Sequence, residues 1–316
     1  MKLTIGTRGS ALALWQARHV AAHIEKAHPG IKVDLMTIKT RGDKILDAPL
    51  AQIGGKGLFT KEIEDALLER KVDLAVHSLK DLPTELPAGL HVSAIMKRED
   101  PRDVFISRDG RKLEELEPAA RIGTSSLRRK AFILSCFPEL EVVSIRGNVD
   151  TRLKKIETEN LAGIMLAAAG IVRMGLSDRI TSYMDLDVIL PAIGQGALAI
   201  ETRIDDSSTD GVLAALNDPE TAACVAIERA FLQRMGGGCQ VPMAAHCVVE
   251  GNRVRVQAAV VHPDGNPTVR DTYVGPGGDT RIGIRLADAL IEHGAAEILR
   301  NVLDDTWQPG PAGDIT

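Results

Sequence analysis

The stretch RIGTSSLRRKAFILSCF, residues 121–137, decides the reading of the fold. Arg121–Thr124 has the composition of a short strand, and Ser126–Phe137 has the apolar spacing of a helix with Ser125 as its N-cap. The strand therefore runs through small hydroxyl residues directly into a helix start. Such a junction aims backbone N–H groups and the positive end of the helix dipole at whatever lies above the strand. Arg128 and Arg129 fall in the first turn, where positive charge opposes that dipole. They cost stability there unless an anion is supplied. A solvated basic face is the plainer alternative, but arginine is misplaced at a helix start, which favours an anion site.

The same alternation extends to both sides. Lys2–Thr7 reads as a strand and Ser10–His28 as a helix, capped by Ser10 and stopped by Pro29-Gly30. Lys32–Lys39 is the next strand, Leu58–Lys71 a helix, and Val72–His77 and Leu90–Met96 further strands. Thr40–Gly57 is polar and irregular, the mark of a lid or binding loop. Arg98–Asp103 is charged and broken by Pro101, as a hinge would be. A second run adds strands at Val104–Ser107, Glu141–Ile145 and Gly163–Ala168, with a helix at Asn148–Asn160 capped by Asn148. Strands alternating with helices predict βαβ units and mostly parallel sheets, an α/β fold. After Pro191–Gly196 the pattern changes. An apolar strand at Ala197–Glu201 leads to a helix at Pro219–Met235 with Asp218 at its N-cap. Strands at Ala244–Val249, Arg253–Val261 and Thr268–Val274 and a helix at Thr280–Val302 predict a small α+β domain. The Pro- and Gly-rich tail, 307–316, is expected to be disordered.

The chain has 316 residues, enough for two or three domains. Hydrophobic residues at 44% and charged residues at 26% describe a globular protein. Aromatics at 3% leave little for base stacking, which argues against single-stranded nucleic-acid binding. A net charge of −5 means that any anion site is a local concentration of Arg and Lys. No apolar run approaches the roughly 18 residues of a membrane span. No targeting signal is recognisable either, so a cytoplasmic protein with reduced thiols is expected. Nothing in the sequence demands more than a monomer.

Arg8 and Arg146 each follow a strand, as Arg128 and Arg129 do, and Arg152 shares a helix face with Asn148. Ligands of open α/β sheets bind outside the carboxyl ends of strands. Guanidinium forks pair bidentately with carboxylates, so the ligand should carry several carboxylates or phosphates. Ser78, Lys80 and Asp81 sit where an apolar strand opens into a loop. A carboxylate beside an ammonium stays ionised and can hold a developing cation or move a proton. Taken alone, Lys80-Asp81 before Pro83 is an ordinary turn. Gly236-Gly237-Gly238 ends a helix at a cost in backbone entropy and leaves room for a bulky group beside Cys239. A reactive thiolate and an inert loop thiol both fit Cys239. Cys136, Cys224 and Cys247 read as packing residues. The four cysteines and eight histidines show no metal-ligand spacing, so no metal is expected.

Nine motifs in order carry a resemblance: TRGS at the start, TRGD at Thr40–Asp43, GGKGLFTKE at Gly54–Glu62, AVHSLKDLP at Ala75–Pro83, REDPRD at Arg98–Asp103, GTSSLRR at Gly123–Arg129, RGNVDTRL at Arg146–Leu153, LPAIGQGAL at Leu190–Leu198 and GGCQVP at Gly237–Pro242. Together they resemble the porphobilinogen deaminase family, the hydroxymethylbilane synthases, until the match thins after about Val260. The resemblance implies two periplasmic-binding-protein-like (type II) α/β lobes and a small C-terminal α+β domain. The first lobe would be discontinuous, 1–96 with 197–216, the second 102–191, and the third domain 218–306. It implies a dipyrromethane cofactor joined by a thioether to Cys239. Four porphobilinogen molecules condense on it with loss of ammonia, and water releases the linear tetrapyrrole, a step of haem biosynthesis. Asp81 matches the catalytic carboxylate. Ser78, Lys80, Thr124, Ser126, Arg128, Arg129, Arg146 and Gly147 match groups around the cofactor. Arg8, Lys56, Arg146, Arg152, Arg173 and Gln195 match groups that meet substrate. Gln52 and Gly236 depart from the family, where a lysine and a glutamate are usual.

Two other readings compete. A non-catalytic anion receptor would share the two-lobed fold, since fold does not dictate function. A transferase with a cysteine nucleophile would want a base near Cys239, and His246 is the nearest in sequence.

Overall fold

A computed structural model describes residues 1–44, 57–237, 241–303 and 307–311. The chain divides into two compact units, Met1–Glu99 with Gly196–Ala222, and Asp100–Gln195 with Ala223–Thr316.

The first unit is built on a five-stranded sheet. Its strands are β1 (Lys2–Thr7), β2 (Lys32–Thr37), β3 (Leu74–Ser78), β4 (Leu90–Ile95) and β10 (Leu198–Arg203), in the order β2-β1-β3-β10-β4. β1 pairs in parallel with β2 and β3, whereas β10 runs antiparallel to β3 and β4. The helix Ala11–Ala27 covers the sheet with Ala17, Val20, Ala21 and Ile24, packed on Leu3, Ile5, Leu74 and Ile200. Ser10 caps this helix by accepting from the Ala13 N–H at 3.3 Å. Lys61–Leu68 buries Ile63, Ala66 and Leu67 against Val72 and Ala75.

The second unit repeats the order. Its strands are β5 (Asp103–Ser107), β6 (Arg121–Gly123), β7 (Glu141–Val143), β8 (Gly163–Ala167) and β9 (Ser182–Tyr183), arranged β7-β6-β8-β5-β9. β6 lies parallel to β7 and β8, and β5 runs antiparallel to β8 and β9. Both sheets are therefore mixed, each with one reversed strand, rather than nearly all parallel. The reversed strand is the last of its sheet in sequence in the first unit and the first in the second. Hydrophobic periodicity reports burial and not direction, so it carries no sign of the reversal.

The same unit holds an antiparallel meander of β11 (Met243–Glu250), β12 (Arg253–Val261) and β13 (Thr268–Pro276). One face, with Ala244, Ala259 and Val261, packs against Phe105, Ile122, Phe132 and Met165 of the five-stranded sheet and its helix. The other, with Val254, Val256 and Val260, shares a core with Ile227 and Phe231 of the helix Pro219–Arg234 and with Leu286 and Leu290. The fold class is thus two mixed α/β sheets with the same pattern of strand directions plus a small α+β layer.

Two local expectations need correction. The final helix is broken: Arg281–Leu290 and Ala296–Leu303 are separated at Gly294, whose φ of 108° no helix tolerates. The tail is ordered as far as it is described. Trp307 is buried, and its indole N–H donates to the Met235 carbonyl at 3.1 Å. A large apolar ring with one donor finds a partner for both parts at the end of a helix, and composition alone does not register this.

Candidate active site

The expected residues divide between the two units, and several of them enter local clusters. In the first, β3 delivers the chain into the turn Leu79–Asp81. Leu79 and Leu82 are buried on either side of Lys80 and Asp81, and the Leu79 N–H donates to the Ala197 carbonyl at 3.1 Å. Two apolar anchors thereby hold an exposed carboxylate, Asp81, on a short rigid turn. Ser78 accepts from the buried Gln16 amide at 2.9 Å, which fixes the last residue of the strand.

One residue upstream, His77 lies buried against Glu201 of β10, 2.9 Å from Nε2 to Oε2. Glu64 is buried nearby, and burial pushes its carboxyl above the usual range. Sequence reading missed these three, which lie far apart along the chain on β3, β10 and a helix.

Arg8, at the end of β1, does not stand alone. It ion-pairs with Asp43, with Nε 3.1 Å from Oδ1, and its guanidinium lies over the Phe59 ring at 4.3 Å. Burial works against the Asp43 charge, but Arg8 and the Thr40 hydroxyl hold its carboxyl below the usual value. The TRGD motif contains this partner, although nothing local pairs it with Arg8.

In the second unit the junction after β6 forms as read, one residue displaced. Ser126, not Ser125, is the N-cap of the helix Leu127–Cys136 and accepts from the Arg129 N–H. Thr124 is buried and its hydroxyl accepts from the Ser126 N–H at 3.2 Å. The anion that the two arginines require is present within the protein. Asp103 at the start of β5 is fully buried, 2.8 Å from Arg128 NH1 and 2.8 Å from Arg129 NH2. Gln195 is also buried and donates to Asp103 at 2.9 Å and to the Pro101 carbonyl at 2.7 Å. Arg129 donates further to the Met165 carbonyl and Arg128 to that of Leu190. Burial opposes the Asp103 charge, yet the two guanidiniums outweigh it and hold the carboxyl far below the carboxylate range.

Two guanidiniums against one carboxylate leave one positive charge in excess. Arg128 Nε is buried and has no hydrogen-bond partner among the described residues. This donor set fits a ligand carrying carboxylates. Arg146 and Gly147 follow β7, and Asn148 caps the helix Val149–Thr158 by accepting from the Thr151 N–H at 3.0 Å. Arg152 is half-buried and donates from Nε to the Gly147 carbonyl at 2.8 Å. Arg173 is buried at the end of the helix Ala168–Arg173.

Lys56, Gln52 and Cys239 lie outside the described residues. Cys224 and Cys247 are buried, as packing residues should be, whereas Cys136 is exposed at its helix end and departs from that reading. His246 is buried with Nδ1 3.5 Å from Glu228, whose carboxylate accepts from the Gly194 and Cys247 N–H groups. Its surroundings are those of a core histidine. Among the described residues no cluster of three or more His, Cys, Asp and Glu could hold a metal, and no helix is long and apolar enough to cross a membrane.

The fold and these clusters define an α/β protein in which each unit gathers charged side chains, arginines among them, near the ends of its strands. The family model described as porphobilinogen deaminase, dipyromethane cofactor binding domain, matches residues 3–211, and that of the C-terminal domain matches 222–292. The porphobilinogen deaminase of Trichlorobacter lovleyi is 53% identical over 95% of this chain and 96% of its own. That of Geobacter metallireducens is 53% identical over 95% of both chains, and that of Syntrophotalea carbinolica 51% identical over 97% and 98%. The chain belongs to the porphobilinogen deaminase family. Among solved structures, a TRAP periplasmic solute binding protein from Desulfovibrio salexigens covers 70% of the chain and 73% of its own at 13% identity, with a TM-score of 0.43. A YaeC-family lipoprotein from Enterococcus faecalis covers 70% and 93% at 15% identity, also with a TM-score of 0.43.

Proposed function

We propose that Asp81 is the catalytic carboxylate of a porphobilinogen deaminase whose dipyrromethane is held on Cys239. The family's reaction joins four porphobilinogen molecules with loss of ammonia and releases hydroxymethylbilane by hydrolysis. When bound, the dipyrromethane supplies the pyrrole carbon to which each new unit is joined. The chain's own residues bind, orient and manage charge. Asp81 accepts hydrogen bonds from pyrrole N–H groups and stabilises the positive charge that develops as ammonia leaves substrate. Its exposure on a rigid turn suits both roles. Lys80, Arg8, Arg146, Arg152 and Arg173 pair with acetate and propionate side chains, and Lys56 meets substrate from its loop. Ser78, Thr124, Ser126 and Gly147 supply hydroxyl or backbone contacts to the cofactor. Gln195 acts through Asp103, which it helps to fix, rather than at the substrate itself.

The observation that carries this reading is the excess guanidinium charge of Arg128 and Arg129 over Asp103, with the orphaned donor on Arg128. A receptor would use the same charge, but it would need neither Asp81 nor a thiol. The same reading makes the protein a cytoplasmic monomer without nucleic-acid or membrane partners, in keeping with its net charge of −5 and few aromatics. Intact-mass spectrometry tests it. The purified protein should carry the added mass of two linked pyrroles, and Cys239→Ser should lack it. Active protein of unmodified mass would overturn the assignment.

A further inference from the structure

The C-terminal family match stops at residue 292, yet Trp307–Pro311 lies against the end of the helix that leads to Cys239. A helix ends with carbonyls that have no partner inside it. Here the tail supplies two of the missing donors. The Trp307 indole N–H donates to the Met235 carbonyl at 3.1 Å, and the Gly310 N–H to the Arg234 carbonyl at 2.9 Å. Arg234 reciprocates by donating to the Gly310 carbonyl, while its Nε is held by Asp288 at 2.6 Å. The remaining carbonyls are met locally, Gln233 by the Gly236 N–H at 3.0 Å and Leu232 by the Gly237 N–H at 3.2 Å.

The fit leaves no slack. A Cβ on Gly310 would stand 2.1 Å from the Gln233 carbonyl oxygen. A Cβ on Gly236, whose φ is +61°, would stand 2.7 Å from the Gln308 carbonyl oxygen. Trp307 is 6% exposed and belongs to the core formed by Phe231, Met243 and Leu290. The tail is therefore a strap across the exit of the helix, seated by a buried indole.

We infer that Trp307 is a positioning residue for cofactor attachment: the strap Trp307–Gly310 fixes Met235–Gly237, the residues that lead into Cys239. The inference rests on the reading of Cys239 as the cofactor cysteine. A thiol must meet an electrophile in a set orientation, and an ångström of misplacement can cost about 10²-fold in rate.

The test uses full-length protein expressed in a host that makes no porphobilinogen, then mixed with porphobilinogen and followed by intact mass. The wild type should gain the two-pyrrole mass. Trp307→Ala should gain it at least about tenfold more slowly, with an unchanged far-ultraviolet circular dichroism spectrum, and Trp307→Phe, which keeps most of the packing, should recover most of the rate. Should Trp307→Ala fail to fold, Gly310→Ala, which forces the strap from the helix end, should load slowly as well. Loading of a folded Trp307→Ala or Gly310→Ala at the wild-type rate overturns the inference and leaves Cys239 in its role. A wild type that gains mass on another residue overturns the cysteine assignment instead.

Discussion

Asp103→Asn is the most informative single change, because it removes a charge and almost nothing else. Asp103 is wholly buried and faces Arg128 and Arg129 at 2.8 Å each. Neither guanidinium can shed its proton, so both would stay charged in the interior. Removing one partner of a buried ion pair costs about 3–5 kcal/mol. The asparagine oxygen still accepts one hydrogen bond, which offsets about 1 kcal/mol. A net loss of ~3 kcal/mol is therefore expected, and with a urea m-value of roughly 1–3 kcal/mol/M the midpoint should fall by about 1–3 M. Trp307, buried in the same unit, provides the fluorescence signal for the transition. The change should also alter the acid limb. The folded-state carboxyl lies far below its ordinary value, so its contribution is fully present above the unfolded pKa of roughly 3.9 and is lost as pH falls below it. The variant should lack that component of acid sensitivity. A midpoint within about 0.3 M of wild type, or an unchanged acid limb, would refute the account of Asp103 as the counter-ion of the cluster.

Two further outcomes concern the chemistry. Asp81→Ala should lower turnover by about 10²–10⁴-fold, while thermal unfolding stays near wild type because the side chain is exposed. Turnover within a few-fold of normal would remove Asp81 from its role. Arg146→Leu should let early additions proceed and slow the later ones, as gel separation of the partly extended protein would reveal; an unchanged distribution of extended species would argue against its carboxylate contact.

The site was partly legible before the fold was known. Strand-to-helix junctions announce themselves locally, so Arg128, Arg129, Arg146 and the caps Ser10 and Asn148 could be placed from spacing alone. Asp103 could not be recognised as their counter-ion. Its motif looked like a hinge, and its partner Arg129 lies 26 residues away. His77, Glu201 and Glu64 escaped for the same reason, because a buried polar cluster gathered from β3, β10 and a helix has no signature in any one segment. Asp43 lies in the TRGD motif 35 residues from Arg8, and nothing local marks the two as partners.

By itself, the order of amino acids determined the α/β character, the alternation of strands and helices, and the supply of guanidiniums at strand ends. These follow from side-chain periodicity and capping, which act over a few residues. Only the tertiary structure decided that β5 and β10 run against their neighbours, that a buried carboxylate neutralises half of a basic pair, and that the tail closes a helix end. Direction, charge balance and satisfaction of backbone groups depend on residues distant in sequence and close in space. Hydrophobic pattern does not encode such neighbours, and burial makes their pairing energetically decisive.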